Sequence, residues 1–158
     1  MNAAHDEGGE APCYAHLLEE SPASEAAGEA HLAQVNVGRL RAPIDDPAIK
    51  DFVDGLAPVN ALADAAPGFV WRLQDDSGDA THIEVGPDPL LIINLSVWRD
   101  LESLMAFVRS PDHAAYLRRR REWFQRWTDG PYTCLWWVEP GHRPTPAEAQ
   151  ERLAHLRD

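Results

Sequence analysis

The stretch from Leu90 to Trp127 constrains the fold more than any other part of the chain. Its first nine residues are rich in branched apolar side chains and predict a strand over residues 90–98. A helix with Asp100 as its N-cap is expected next, because apolar residues follow at helical spacing. A Ser-Pro-Asp sequence at residues 110–112 ends that helix, since proline suits the first turn of a helix and not its interior. A second helix, rich in arginine and aromatic residues, is predicted to continue to Trp127.

Periodicity in the rest of the chain predicts further strands and helices. Apolar residues in alternation or in short runs predict strands over residues 31–38, 68–74 and 132–139, with residues 81–85 extending a hairpin. Apolar residues at 3.6-residue spacing predict a helix that begins at Pro47, with a kink or a break at Pro58. Thr145 is expected to cap a C-terminal helix over residues 146–156.

This order of elements, β-α-β-β-α(α)-β, is that of the ferredoxin-like split βαβ plan. It predicts an α+β domain over residues 31–158, with a four-stranded antiparallel sheet and helices on one face. The second face of the sheet is expected to stay open and to carry aromatic and uncharged polar residues. Such a face favours a homodimer that packs sheet against sheet. Residues 1–30 hold seven acidic residues and no Lys or Arg, and we expect a disordered leader there.

Composition excludes several classes of function. The net charge is −12, and residues 31–158 hold 19 acidic and 14 basic residues, so a nucleic-acid partner is not expected. No apolar run approaches the roughly 20 residues that span a bilayer. The N-terminus lacks the basic and apolar regions of a signal peptide. Two cysteines, without a metal-binding motif, favour the reducing cytoplasm.

Several blocks in order, LAQVNVGRLR, PVNALADAAPGFVWRLQ, INLSVWRDLESLMAFV, HAAYLRRRREWF and LWWVEPGHRPT, resemble the DUF3291 family of bacterial proteins. The resemblance covers residues 31 to about 153. It implies the dimeric α/β-barrel fold, but it implies no reaction, because the function of that family is not established.

A weaker similarity reaches the antibiotic-biosynthesis monooxygenases. Their pattern places a tryptophan at the end of the third strand, then a helix, then Ser-Pro-x-His; here Trp98 and His113 occupy those positions. Cofactor-free members, which oxidise aromatic polyketides to quinones, use an Asn and a Trp with the spacing of Asn94 and Trp98. Haem-degrading relatives use an Asn on the first strand and a His on the long helix, as at Asn36 and His113. The similarity implies catalysis without a tightly bound cofactor, with haem as the alternative.

The amide side chains define a candidate site by themselves. Alternate residues of a strand share a face, so Asn94, Ser96 and Trp98 point the same way. We expect that face to be the open one, with Gln34 and Asn36 joining it from the first strand. Buried amides are costly unless they are hydrogen-bonded, so this cluster favours a pocket that orients a polar group of a flat ligand. The alternative is an amide network that fixes the register of a dimer.

Charged and imidazole side chains supply further candidates. A helix N-terminus disfavours imidazolium, so His113 is expected to be neutral and able to act as a base or a ligand; the alternative is a packed or capping histidine. Arginines 118–121 cover all sides of their helix, and Arg120 is our candidate to anchor an acidic substituent. Arg72 is a second candidate, or else forms an ion pair between strands. His142 closes the pocket rim or caps a helix.

Tryptophans are the last group of candidates. Trp71, Trp123 and Trp136 can wall a flat aromatic cavity by stacking, or fill the core and a dimer interface. The sequence thus predicts a pocket between sheet and helices that oxidises or rearranges a hydrophobic, partly aromatic molecule. Asn94, Trp98 and His113 would be catalytic. The alternatives are a non-catalytic binder of such a molecule or of haem, and a purely structural dimer.

Overall fold

A computed structural model of the chain describes residues 30–158. The strands are β1 (His31–Arg39), β2 (Phe69–Arg72), β3 (Leu91–Trp98) and β4 (Thr133–Val138). The helices are α1 (Lys50–Ala65), α2 (Leu101–Val108), α3 (Pro111–Arg118), α4 (Arg120–Trp123) and α5 (Pro146–Arg157). A single 3₁₀ turn, Pro47–Ile49, leads into α1. The predicted leader, apart from Ala30, lies outside the described residues.

The four strands form one antiparallel sheet in the order β2-β3-β1-β4. This order, with helices between the strands, confirms the α+β ferredoxin-like plan. The register places Gln34 of β1 opposite Ser96 of β3, and Asn36 opposite Asn94. The amide-bearing side chains of two neighbouring strands therefore lie side by side.

Both faces of the sheet are covered within the chain. On one face, α5 and Val85 of the loop between β2 and β3 pack on alternate apolar residues of the strands. These residues are Ala33, Val35, Val37, Ile93, Leu95, Val97, Cys134, Trp136 and Val138. The opposite face meets α1–α4, where Leu32 and Trp98 pack with Leu104.

The predicted assignment of the two faces is wrong. Asn94, Ser96 and Trp98 point towards α1–α4 and not towards an open face, whereas Leu95 and Val97 point away from those helices. Alternation shows which residues share a face, but it does not show which layer covers that face. Because α5 packs on the apolar face, the sheet formed within residues 30–158 does not have the open aromatic face that favoured a dimer.

Helix ends follow local chemistry. Asp100 and Thr145 cap α2 and α5 as predicted, since their side chains accept hydrogen bonds from the amides of Ser103 (2.7 Å) and Glu148 (3.1 Å). Of the kink or break predicted at Pro58, the break does not occur, because α1 continues through this residue, and the kink stays a prediction.

Two predicted elements are shorter than expected. The second long helix divides into α3 and α4 and ends at Trp123, because Phe124 turns extended and pairs with Leu40. Residues 81–85 form no strand but part of the loop between β2 and β3. Between residues 30 and 158, no helix has the length and apolar character needed to cross a bilayer.

Candidate functional site

A cavity of about 660 Å³ lies between the sheet and the helices. Polar side chains of the sheet form its floor: Gln34, Asn36, Asn94, Ser96 and Thr133. Apolar and aromatic side chains of α1, α2 and α3 contribute to its walls. A mostly apolar hollow with a few polar groups at one place is typical of a small-molecule site.

Two buried side chains of the floor, Gln34 and Ser96, form a hydrogen-bonded relay with the buried Trp98. The indole N–H of Trp98 donates to the hydroxyl of Ser96 at 3.0 Å, and that hydroxyl donates to Oε1 of Gln34 at 3.1 Å. Trp98 is 1% exposed, Ser96 6% and Gln34 4%. Phe69 packs edge-to-face on the Trp98 ring and Phe107 stacks on it, which holds the indole in place.

The two asparagines of the floor, Asn36 and Asn94, lie two residues along their strands from Gln34 and Ser96, on the same face of the sheet. They are direct cross-strand partners, and both line the cavity. Asn94 is exposed and Asn36 is half-buried. Their amides can therefore reach a ligand that lies against the sheet.

His113 lies in the first turn of α3 and lines the same cavity. Its Nδ1 lies 3.0 Å from the carbonyl oxygen of Val108, and its ring packs at 4.8 Å from that of Phe107. Burial lowers the pKa of His113 below its ordinary value of 6.5, against the opposing effect of the hydrogen bond with Val108. The ring is therefore neutral at pH 7. Since a carbonyl only accepts, Nδ1 carries the proton and Nε2 keeps the lone pair.

An aromatic cluster joins α1 to α3 and α4 at one side of the cavity. Tyr116 donates its hydroxyl to the carbonyl of Phe52 at 2.6 Å, and the rings of Phe52, Tyr116, Trp123 and Phe124 pack with centroids 5.0–5.9 Å apart. Burial raises the pKa of Tyr116 well above its ordinary value, so this phenol stays protonated. Trp123, predicted to wall the cavity, contributes to this wall.

Of the four consecutive arginines, one forms salt bridges on the surface and the other three line the cavity. Arg119 bonds Asp51 at 2.8 Å and Glu122 at 2.6 Å, and this pairing raises its own pKa. Arg118, Arg120 and Arg121 line the cavity, and no salt bridge joins them to another residue of the described range. Arg120 lies 4.5 Å above the Tyr132 ring, which orients its guanidinium.

Arg72 also lines the cavity, but its guanidinium is occupied. It bonds both carboxylate oxygens of Asp64 on α1, at 2.7 and 3.2 Å, and the carbonyl of Gly78 at 2.7 Å. The ion pair thus joins a strand to a helix and not to another strand. Arg72 connects the loop after β2 to α1.

Three of the predicted ligand-contacting residues lie elsewhere. Trp71 and Trp136 pack in the core on the opposite face of the sheet. The indole N–H of Trp136 and Nε2 of His142 share Glu148 of α5, at 3.1 and 2.8 Å. For the two tryptophans this is the alternative stated above, in which they fill the core. Trp136 and His142 lie away from the cavity because β4 presents Trp136 to the face covered by α5, and the exit turn follows that side.

Other cavity residues escaped prediction. Asn60 lies in the apolar stripe of α1, Tyr116 in that of α3, and Thr133 begins β4. A polar residue within an otherwise apolar helical stripe was the available signal for Asn60. Within residues 30–158, no group of three or more His, Cys, Asp or Glu side chains could hold a metal ion.

Solved structures with a similar arrangement come from several organisms. SnoaB from Streptomyces nogalater, a cofactor-independent oxygenase, has 15% identity and a TM-score of 0.44, over 73% of this chain and 96% of its own. Rv0793 from Mycobacterium tuberculosis has 14% identity and a TM-score of 0.49, over 73% and 99%. A candidate antibiotic biosynthesis monooxygenase from Chloroflexus aurantiacus has 17% identity and a TM-score of 0.46, over 72% and 97%.

Comparison with curated proteins finds no match. The family model of a domain of unknown function, DUF3291, matches residues 31–158, which are all of the described residues except Ala30. The chain therefore belongs to the DUF3291 family.

Proposed function

We propose that this protein is a cofactor-independent oxygenase that acts on a hydrophobic, partly aromatic small molecule. The observation that supports it most is that amide side chains and a neutral imidazole line the same cavity. Amides of β1 and β3 line the floor, and His113, whose Nε2 is free to accept a proton, lines the same hollow. SnoaB is named a cofactor-independent oxygenase, which agrees with this proposal.

The chemistry needs a substrate with an acidic C–H next to a phenol or ketone. Nε2 of His113 takes that proton, and amide N–H groups of the floor hold the resulting enolate or phenolate oxygen. The carbanion passes electrons to O₂ and bonds to it, giving a hydroperoxide. Loss of water leaves a carbonyl, so one oxygen atom enters the product and the other leaves as water. The substrate CH₂ becomes C=O, and the four electrons it loses reduce O₂.

The arginines at the cavity indicate an acidic substituent on the substrate. The chain carries a net charge of −12, yet three arginines without a carboxylate partner in the described range line this hollow. Arg120 is the best placed to bind a carboxylate through two parallel hydrogen bonds, because Tyr132 already orients it.

Oxygen uptake tests the proposal. The full chain is mixed with polycyclic phenols and anthrones, with and without a carboxylate, and O₂ consumption is followed with an electrode. His113→Gln should lower turnover about 100-fold, as expected for loss of a general base, and Asn94→Ala about tenfold. His142→Gln is the matched control, because this exposed histidine bonds Glu148 outside the cavity. Wild-type rates in both cavity variants would contradict the proposal.

The second candidate is a protein that binds an aromatic ligand or haem without turnover. It is favoured by the same Nε2 of His113, which can bind an iron atom in an aromatic cavity. Haem is added to the full chain and the Soret band recorded. A shift that is lost in His113→Gln and kept in His142→Gln would support haem binding, and the absence of any shift would exclude it.

A further inference from the structure

The two hydrogen bonds of the relay from Trp98 to Gln34 run in one direction in the structure. An indole N–H can donate but not accept, so the proton between Trp98 and Ser96 belongs to the indole. The Ser96 hydroxyl donates its single proton to Oε1 of Gln34, its one acceptor among the hydrogen bonds of residues 30–158. The first of these bonds cannot be reversed, and the Gln34 oxygen accepts the second.

This arrangement favours one of the two orientations of the Gln34 amide, because with the NH₂ group turned towards Ser96 the hydroxyl proton would lose its acceptor. Its oxygen faces Ser96, so the NH₂ group, with two donors, is directed away from Ser96. An amide without such a partner can turn over and present either end. Gln34 lines the cavity although only 4% of it is exposed, so a donor there lies at a nearly dry surface. Hydrogen bonds at such a surface are stronger than in water.

We propose that the NH₂ group of Gln34 is the oriented donor that binds the developing oxyanion of the ligand, and that Trp98 and Ser96 are positioning residues. The proposal rests on the proposed function for its substrate, a phenol or enolisable ketone. It changes the predicted role of Trp98. Its indole N–H is occupied by Ser96 and its side chain is 1% exposed, so it acts through Gln34 and not on the ligand.

A coloured phenol tests the donor without turnover. Alizarin, a hydroxyanthraquinone whose visible absorption changes on ionisation, is bound to the full chain and titrated. Wild type should lower the pKa of the bound dye by about one unit, a tenfold preference for the phenolate. Gln34→Glu should raise it above that of the free dye, because a carboxylate repels the phenolate. Gln34→Met, similar in shape and without donors, should abolish the shift.

Variants of the relay separate orientation from simple packing. Ser96→Ala frees the Gln34 amide to turn, so most of the shift should disappear, whereas Ser96→Thr keeps the hydroxyl and should retain the shift. Gln74→Glu, on an exposed residue outside the cavity, is the control for Gln34→Glu and should behave as wild type. No shift in wild type, or the same shift in Gln34→Glu, would overturn the donor role.

The relay can also be measured without a ligand. The indole N–H signal of Trp98, identified by its loss in Trp98→Phe, should exchange with solvent at least about tenfold faster in Ser96→Ala than in wild type. Equal exchange in both would overturn the relay. A normal dye shift without oxygen uptake would refute the oxygenase proposal while leaving the relay intact.

Discussion

Ser96→Ala should destabilise the fold far more than the loss of one hydroxyl usually does. The substitution leaves two buried groups without their partner: the indole N–H of Trp98 and Oε1 of Gln34. An unsatisfied buried polar group costs about 1–3 kcal/mol. The two together predict a loss of about 2–6 kcal/mol in the free energy of unfolding.

The contribution of the relay is isolated by repeating the substitution in a second background. In Trp98→Phe the indole N–H is absent, so Ser96→Ala leaves only the Gln34 oxygen without a partner and should cost about 1–3 kcal/mol. The double-mutant cycle should therefore show a coupling of about 1–3 kcal/mol between the two positions.

Urea unfolding followed by far-UV circular dichroism gives the four free energies needed. Ser77→Ala, in the exposed turn after Asp75, is the control and should add independently to Trp98→Phe. Additivity of Ser96→Ala and Trp98→Phe within about 0.5 kcal/mol would refute the reasoning, because groups without a shared bond behave that way.

Other residues give further predictions. Burial lowers the pKa of His113 below 6.5, so its contribution to stability is present above pH 6.5 and is lost as pH falls. His113→Gln should therefore flatten the change, between about pH 7 and pH 5, in the free energy of unfolding measured with urea. Equal pH dependence in the variant and wild type would count against this. Tyr116→Phe removes the hydrogen bond to the Phe52 carbonyl and should lower the free energy of unfolding by about 1 kcal/mol. An unchanged Tm would contradict this prediction. Arg72→Gln should speed hydrogen exchange of the amides of residues 75–81, because the bonds to Asp64 and Gly78 are lost; Arg99→Gln, on an exposed arginine, should not.

The order of elements could be predicted because it depends on local patterns. Branched apolar residues and alternation mark β1 and β3, and the caps Asp100 and Thr145 act within one turn of their own helices. Such signals lie within a few residues of the feature that they predict.

Which side of the sheet holds the site could not be predicted. The strand residues from Leu91 to Trp98 give two sets of side chains, and the choice between them depends on α5, about 50 residues later in the chain. The end of the arginine-rich helix escaped prediction for the same reason. Phe124 leaves the helix to pair with Leu40, a contact between distant segments.

It was harder still to predict which of two adjacent strand residues is buried. Trp136 and Trp137 point to opposite faces, and only the position of α5 decides that Trp136 is buried with Glu148. The homodimer stays a prediction, and light scattering of the full chain tests it. α5 covers the apolar face of the sheet, whereas Trp137 lies exposed at the edge strand β4.

The most direct test of the central claim is a crystal structure of the full chain with a bound polycyclic phenol. The account predicts that the rings fill the cavity between the sheet and α1–α4, with a ligand oxygen within about 3.2 Å of the side-chain nitrogen of Gln34. A phenol bound elsewhere, or one whose oxygen faces away from β1 and β3, would contradict it.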